Sequence, residues 1–222
     1  MSVHFRREID QLKKQVLSLS ALVEEAVWLA VRAVQERDPR LAERVIDGDS
    51  VVDAREVAVE EECLKLLALY QPVASDLRFV VTVLKLNNDL ERIGDLAVNI
   101  AGRAKYLASQ PPLETAFDFA GMATKTQEML RLALDALVNV DPVKAREVCA
   151  MDDAVDAIHR EVYCLVQKGI QADPVRVDIY ITTLSISRYL ERLADHATNI
   201  AEDVLYMFEG RVLRHHVQEY RT

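Results

Sequence analysis

The stretch LERIGDLAVNIA at 90–101 returns as LERLADHATNIA at 190–201, without a gap and 100 residues later. Around the first copy, apolar residues recur three and four apart: Phe79, Val83, Leu86, Leu90, Ile93, Ala97, Ile100, Ala104 and Leu107. Around the second they are Ile179, Ile186, Leu190, Leu193, Ala197, Ile200, Val204 and Met207, with Thr183 the one polar member of the stripe. That spacing lines one side of an α-helix and predicts a single buried seam on each of two long helices. A seam of this length is buried economically in an antiparallel helical bundle.

Upstream, the chain repeats itself again. DPRLAERVIDGDSVVDA at 38–54 aligns with DPVKAREVCAMDDAVDA at 141–157, 103 residues later, and the three-residue difference falls in a turn. Each segment opens with Asp-Pro, an N-cap followed by the residue best tolerated at the first helical position. Asp173-Pro174 predicts a third such start, while Pro72 and Pro111-Pro112 mark breaks. Six helices follow, near 4–37, 39–69, 74–108, 114–140, 142–170 and 174–209, the first with a stripe of Ile9, Leu12, Val16, Leu19, Val23, Ala26, Ala30 and Ala33. A period near 100 is too long for a solenoid. The expected fold is all-α, two tandem three-helix bundles related by duplication, over 1–110 and 111–222.

Composition agrees. Only 6 Gly and 6 Pro in 222 residues leave little material for turns, and half the residues are hydrophobic, enough for a core. The formal net charge of -9 disfavours nucleic acid, whose phosphates call for clustered Lys and Arg. MSVHFRREIDQLKK carries charges where a signal peptide needs an apolar run, and no apolar stretch is long enough to span a bilayer. A cytoplasmic protein with no transmembrane segment is expected. Cys63, Cys149 and Cys164 have no C-x-x-C spacing and lie in apolar runs, which predicts buried thiols.

The chemistry lies in the repeated acids. Glu91 and Asp95 are four apart and share a helix face, with Asn88 and Asn99 continuing the stripe; Glu191 and Asp195 repeat the pair. With Ile93 and Ala97 in the seam, these acids are expected on the outer surface. Asp49 with Asp53, and Asp152 with Asp156, carry the same spacing on the preceding helices. If the two faces of a repeat converge, four carboxylates share a small area, and like charges about 6 Å apart repel by about 0.7 kcal/mol even in water. A cation relieves that repulsion. Oxygen donors suit Mg²⁺, Ca²⁺, Mn²⁺ or iron, and also Zn²⁺.

The same spacing also fits ordinary surface ion pairs, since Arg92 stands three before Asp95 and Arg188 three before Glu191. The position three after Glu91 is Gly94 and after Glu191 is Ala194, so the Glu-x-x-His pairs of an inward di-iron centre are missing. His159 matches Glu56 in the repeat and is either a supplementary ligand or a surface residue. His196 follows Asp195 and points away from it, into helix packing or an interface; Trp28 is expected to pack. His4, His215 and His216 near the termini carry no signal. No Gly-rich phosphate loop or nucleophile motif is present, so no catalytic residue can be named and a non-enzyme is expected. A metal-binding, metal-storing or metal-dependent hydrolytic protein stays open as the alternative.

The stretch QPVASDLRFVVTVLKLNNDLERIGDLAVNIA at 71–101, with ITTLSISRYLERLADHATNIAEDVLYMFEG at 181–210, resembles the PhoU family of phosphate-signalling regulators, over nearly the whole chain. The resemblance implies a homodimeric, cytoplasmic negative regulator of phosphate uptake and of the phosphate-starvation regulon. It implies an adaptor between the phosphate ABC transporter ATPase and a sensor histidine kinase. It also implies multinuclear metal clusters (iron, zinc, manganese or magnesium) held by E/D-x-x-x-D motifs, here Asp49/Asp53, Glu91/Asp95, Asp152/Asp156 and Glu191/Asp195. His159 and Tyr163 replace the acidic Glu56 and Glu60, which predicts a second site that binds fewer ions or binds them less tightly.

Overall fold

The computed structural model describes residues 3–113 and 117–210. Its long helices are α1 (Val3–Glu36), α2 (Pro39–Tyr70), α3 (Ala74–Ala108), α4 (Phe119–Asn139), α5 (Pro142–Ala172) and α6 (Val177–Glu209). No strand occurs among the described residues.

Two of the Asp-Pro starts act as capping chemistry predicts. Asp38 Oδ1 accepts from the Arg40 amide at 2.9 Å, and Asp141 Oδ1 from the Val143 and Lys144 amides at 2.9 and 3.3 Å. The third does not: Pro174–Arg176 form one 3-10 turn, Asp173 makes no side-chain cap, and α6 begins at Val177. The expected start of α4 at 114 lies outside the described residues. The helix itself begins at Phe119, where Asp118 accepts from the Gly121 amide at 2.8 Å. A Cβ at Gly121 would overlap the Asp118 carboxylate, so glycine admits this cap. Arg37, in the turn after α1, donates through Nη2 to the Leu107 and Gln110 carbonyls and so closes the exposed end of α3.

Helices α1–α3 pack as one bundle and α4–α6 as a second, and the two join where α3 meets α6 and α1 meets α4. The predicted seams form the interior: Leu12, Leu19, Leu86, Leu90, Ile93, Ile100, Ile186 and Leu190 are fully buried, in one apolar core that runs through both bundles. Helices α3 and α6 lie antiparallel, crossed by polar contacts. Lys85 Nζ is 3.2 Å from Asp203 Oδ1, and His196 Nδ1 is 2.8 Å from Asp89 Oδ1. His196 is thus an interface residue, as its helical phase predicts.

Two expectations fail. Cys63 is fully buried and its thiol is pushed up to about 12 by desolvation, but Cys164 is exposed and Cys149 half-buried. A helix in an apolar run still turns one side to water, and α5 is an outer helix. Trp28 is half-exposed beneath Arg32, whose guanidinium carbon lies 4.5 Å from the ring centroid, a cation–π contact at the rim rather than core packing.

Candidate functional site

Helices α2 and α3 meet closely at Val52 and Gly94. Val52 is buried, and a Cβ on Gly94 would stand 3.3 Å from its Cγ1. Asp49 and Asp53 flank Val52, and Glu91 and Asp95 flank Gly94, so this one contact carries both acidic pairs to the same cleft. The charges act on one another there. The Asp49 carboxyl is raised above its ordinary value first by desolvation and then by Asp53 and Asp95. Glu91 is raised by desolvation and by Asp95, Asp53 and Asp49, against the lowering influence of Arg92.

The second repeat builds the same arrangement on α5 and α6, with Val155 and Ala194 buried in the equivalent positions. Glu191 is raised by desolvation, Asp156 and Asp152 against Arg188. Asp195 is pushed up to about 6, by desolvation first and then by Glu191 and Asp156, although its flank is open to solvent. The predicted acids therefore do converge, four in each repeat. They line the cleft between two helices rather than the outermost surface: Asp49, Glu91, Asp95, Asp152, Asp156 and Glu191 are half-buried, and Asp53 and Asp195 are exposed.

The side chains are engaged with neighbours. Arg92 lies 3.3 Å from Glu91 and 3.1 Å from Asp95, Arg160 lies 3.9 Å from Asp156, and Thr198 Oγ1 donates to Asp152 at 3.5 Å. Among the described residues, no three Asp, Glu, His or Cys side chains are grouped to hold one ion. The donor set still fits the oxygen-loving cations that the resemblance implies. Each cleft carries four mutually repelling carboxylates, of which Arg92 holds Glu91 and Asp95 in the first. A buried carbonyl, Asn87 Oδ1, has no hydrogen-bond donor. The Asp and Glu residues would hold the ions, whose charge would cancel the repulsion.

Asn87 was not legible as a site residue; the neighbouring Asn88, predicted to continue the stripe, is exposed. Asn87 turns toward α2 and donates through Nδ2 to the Glu56 carbonyl at 3.0 Å and to Glu56 Oε1 at 2.6 Å. In the second repeat the matching residues, Ser187 and His159, also meet at 2.6 Å through Oγ and Nδ1. His159 is thus half-buried and tethered rather than a free surface histidine. The signal for Glu56 lay in the 4-3-4 spacing of Asp49, Asp53, Glu56 and Glu60, one continuous acidic stripe on α2.

A duplicated pair of three-helix bundles, each with a carboxylate cleft between its second and third helices, defines a class of tandem helical-bundle proteins. The chain belongs to the PhoU family: the PhoU domain matches residues 16–104 and 119–204. It is 36% identical over 214 residues to the phosphate-specific transport system accessory protein PhoU homolog of Aquifex aeolicus, covering 96% of this chain and 97% of that one. It is 32% identical to the phosphate-specific transport system accessory protein PhoU of Escherichia coli, over 97% of this chain and 89% of that one. The crystal structure of PhoU from Pseudomonas aeruginosa superposes with a TM-score of 0.91 at 33% identity, covering 93% of this chain and all of the other. The phosphate transport system regulatory protein PhoU from Streptococcus pneumoniae gives 0.83 at 30% identity, over 94% and 98% of the two chains.

Proposed function

We propose that this chain regulates phosphate transport, restraining the phosphate ABC transporter and the phosphate-starvation regulon when phosphate is plentiful. It acts as a cytoplasmic, homodimeric adaptor between the transporter ATPase and a sensor histidine kinase. The observation that carries this reading is the near full-length correspondence, through both repeats, with proteins named as phosphate-specific transport accessory proteins. Among the described residues, no helix is long and apolar enough to cross a membrane. One structural feature supports an adaptor. The outward side of α2 exposes Val51, Val57, Leu64 and Leu69, apolar area suited to partner binding.

The carboxylate clefts hold metal ions in this reading, through Asp49, Asp53, Glu91 and Asp95 in the first repeat and Asp152, Asp156, Glu191 and Asp195 in the second. Deleting the gene tests the function: phosphate uptake and phosphate-responsive transcription rise in phosphate-rich medium, and unchanged levels of both refute it. Elemental analysis of protein purified without chelator tests the metals, and ion content no higher than in the Glu91→Gln/Asp95→Asn/Glu191→Gln/Asp195→Asn protein counts against them.

A further inference from the structure

We infer that the groove between α1 and α4 docks an arginine-bearing segment of a partner protein, seating the arginine on Trp28 between the carboxylates of Glu24 and Glu128. The groove is separate from the acidic clefts between the second and third helices, and the inference stands whether or not the chain binds metal.

Helices α1 and α4 open the two repeats and are equivalent across 103 residues. Each is followed by a residue in the left-handed region, Arg37 at φ 52° and Val140 at φ 49°. Val27 then corresponds to Leu130, and Trp28 to Arg131. All four line one groove of about 390 Å³, so residues that the duplication relates meet there across the junction of the bundles. The floor is apolar from both sides, with Val27 and Leu130 each 1% exposed. The rim differs between the repeats, tryptophan on one side and arginine on the other.

Trp28 is 47% exposed, and a rigid indole on a groove rim supplies large contact area at little cost in conformational freedom. Glu24, Trp28 and Arg32 stand four apart on one side of α1, where Arg32 stacks on the indole and pairs with Glu36 at 2.7 Å. Glu24 and Glu128 also line the groove; both are exposed, and among the described residues neither has an ion-pair partner. Arg131, the basic side chain that lines it, is held instead by Asp135 at 3.3 Å. An aromatic surface, an apolar floor and two uncompensated carboxylates select an arginine. Its planar guanidinium stacks on indole and offers paired N–H donors to a carboxylate, while its methylene stem lies along apolar side chains. The formal net charge of -9 favours the approach of such a segment.

The test uses the full chain, whose single tryptophan makes its emission a report on this groove. The probe is a capped peptide of leucine and glutamine with one central arginine; in its control, citrulline, neutral and of similar shape, replaces the arginine. The arginine peptide is expected to shift Trp28 emission and to bind about tenfold more tightly than the citrulline peptide. Glu24→Gln/Glu128→Gln weakens its binding by about tenfold, and Trp28→Leu, followed by calorimetry, by a similar factor. Asp10→Asn/Asp178→Asn removes the same charge from exposed positions elsewhere and leaves binding within about twofold. No binding of the arginine peptide, equal affinity for the two peptides, or equal losses in the two double variants overturns the inference. Binding of free arginine amide as tight as that of the peptide assigns the groove to a small cation and overturns a protein partner. So does a dimer that dissociates in Glu24→Gln/Glu128→Gln, which assigns the groove to a second copy of the chain.

Discussion

His196 Nδ1 lies 2.8 Å from Asp89 Oδ1, joining α6 of the second repeat to α3 of the first across the seam between the bundles. Asp89 is 9% exposed and has one further partner there, the Asn199 amide at 3.3 Å. The duplication does not repeat this contact, because the residues equivalent to Asp89 and His196 are Tyr189 and Leu96. One edge of the seam is therefore polar and directional while its counterpart is not, which sets the register of α3 against α6.

Removing the imidazole strands the carboxylate. His196→Ala is expected to destabilise the protein by about 1–3 kcal/mol, the cost of a buried acceptor left short of donors. Adding Asp89→Ala to that variant recovers part of the loss, since no buried charge then remains unpaired. Urea denaturation of the two single variants and the double variant measures the coupling.

The crowded carboxylates give stability a pH dependence. Asp195, raised from 3.8 to about 6, binds a proton in the folded state before it does so in the unfolded chain, so its ionisation opposes folding as pH rises through that window. Asp195→Asn is expected to be more stable than wild type at pH 7. Solvent on its open flank screens much of the effect and leaves about 1 kcal/mol. The advantage shrinks as pH falls and is gone near 4. Comparing variant with wild type isolates this residue from His159, whose burial lowers its own value and acts in the opposite sense. Thermal melts of chelator-treated protein between pH 4 and 7 provide the measurement.

Close approach of α5 and α6 depends on Gly169. A Cβ there would overlap the Tyr180 ring, which is itself buried in a small cluster with Val162 and Val166. Alanine improves helix propensity by about 1 kcal/mol, but overpacking a rigid ring costs about 1–3 kcal/mol. Gly169→Ala should lower the urea midpoint with an unchanged m-value.

At the α4–α5 turn, two adjacent residues act in opposite senses. Val140 occupies the left-handed region at φ 49°, costly for a β-branched residue, whereas Asp141 caps α5. Val140→Gly is expected to stabilise by about 0.5–1 kcal/mol and Asp141→Ala to destabilise by about 1 kcal/mol. Calorimetric melting of the pair would contradict this assignment if both shifted the same way.

What the sequence determined by itself was periodic or local. Seam positions such as Leu86, Ile93 and Ile200, the caps Asp38 and Asp141, the duplication, and the sharing of one face by Glu91 and Asp95 all follow from 3.6 residues per turn and from capping within a few residues. What only the tertiary structure decided lies between helices. Nothing within α3 indicates that Asn87 rather than Asn88 meets Glu56, that His159 meets Ser187, or that His196 finds Asp89, because each depends on which neighbour arrives and at what height. The acidic pairs show the division clearly. Helical geometry placed each pair on one side of its own helix, and the contact of Val52 with Gly94 turned two such sides into a single cleft.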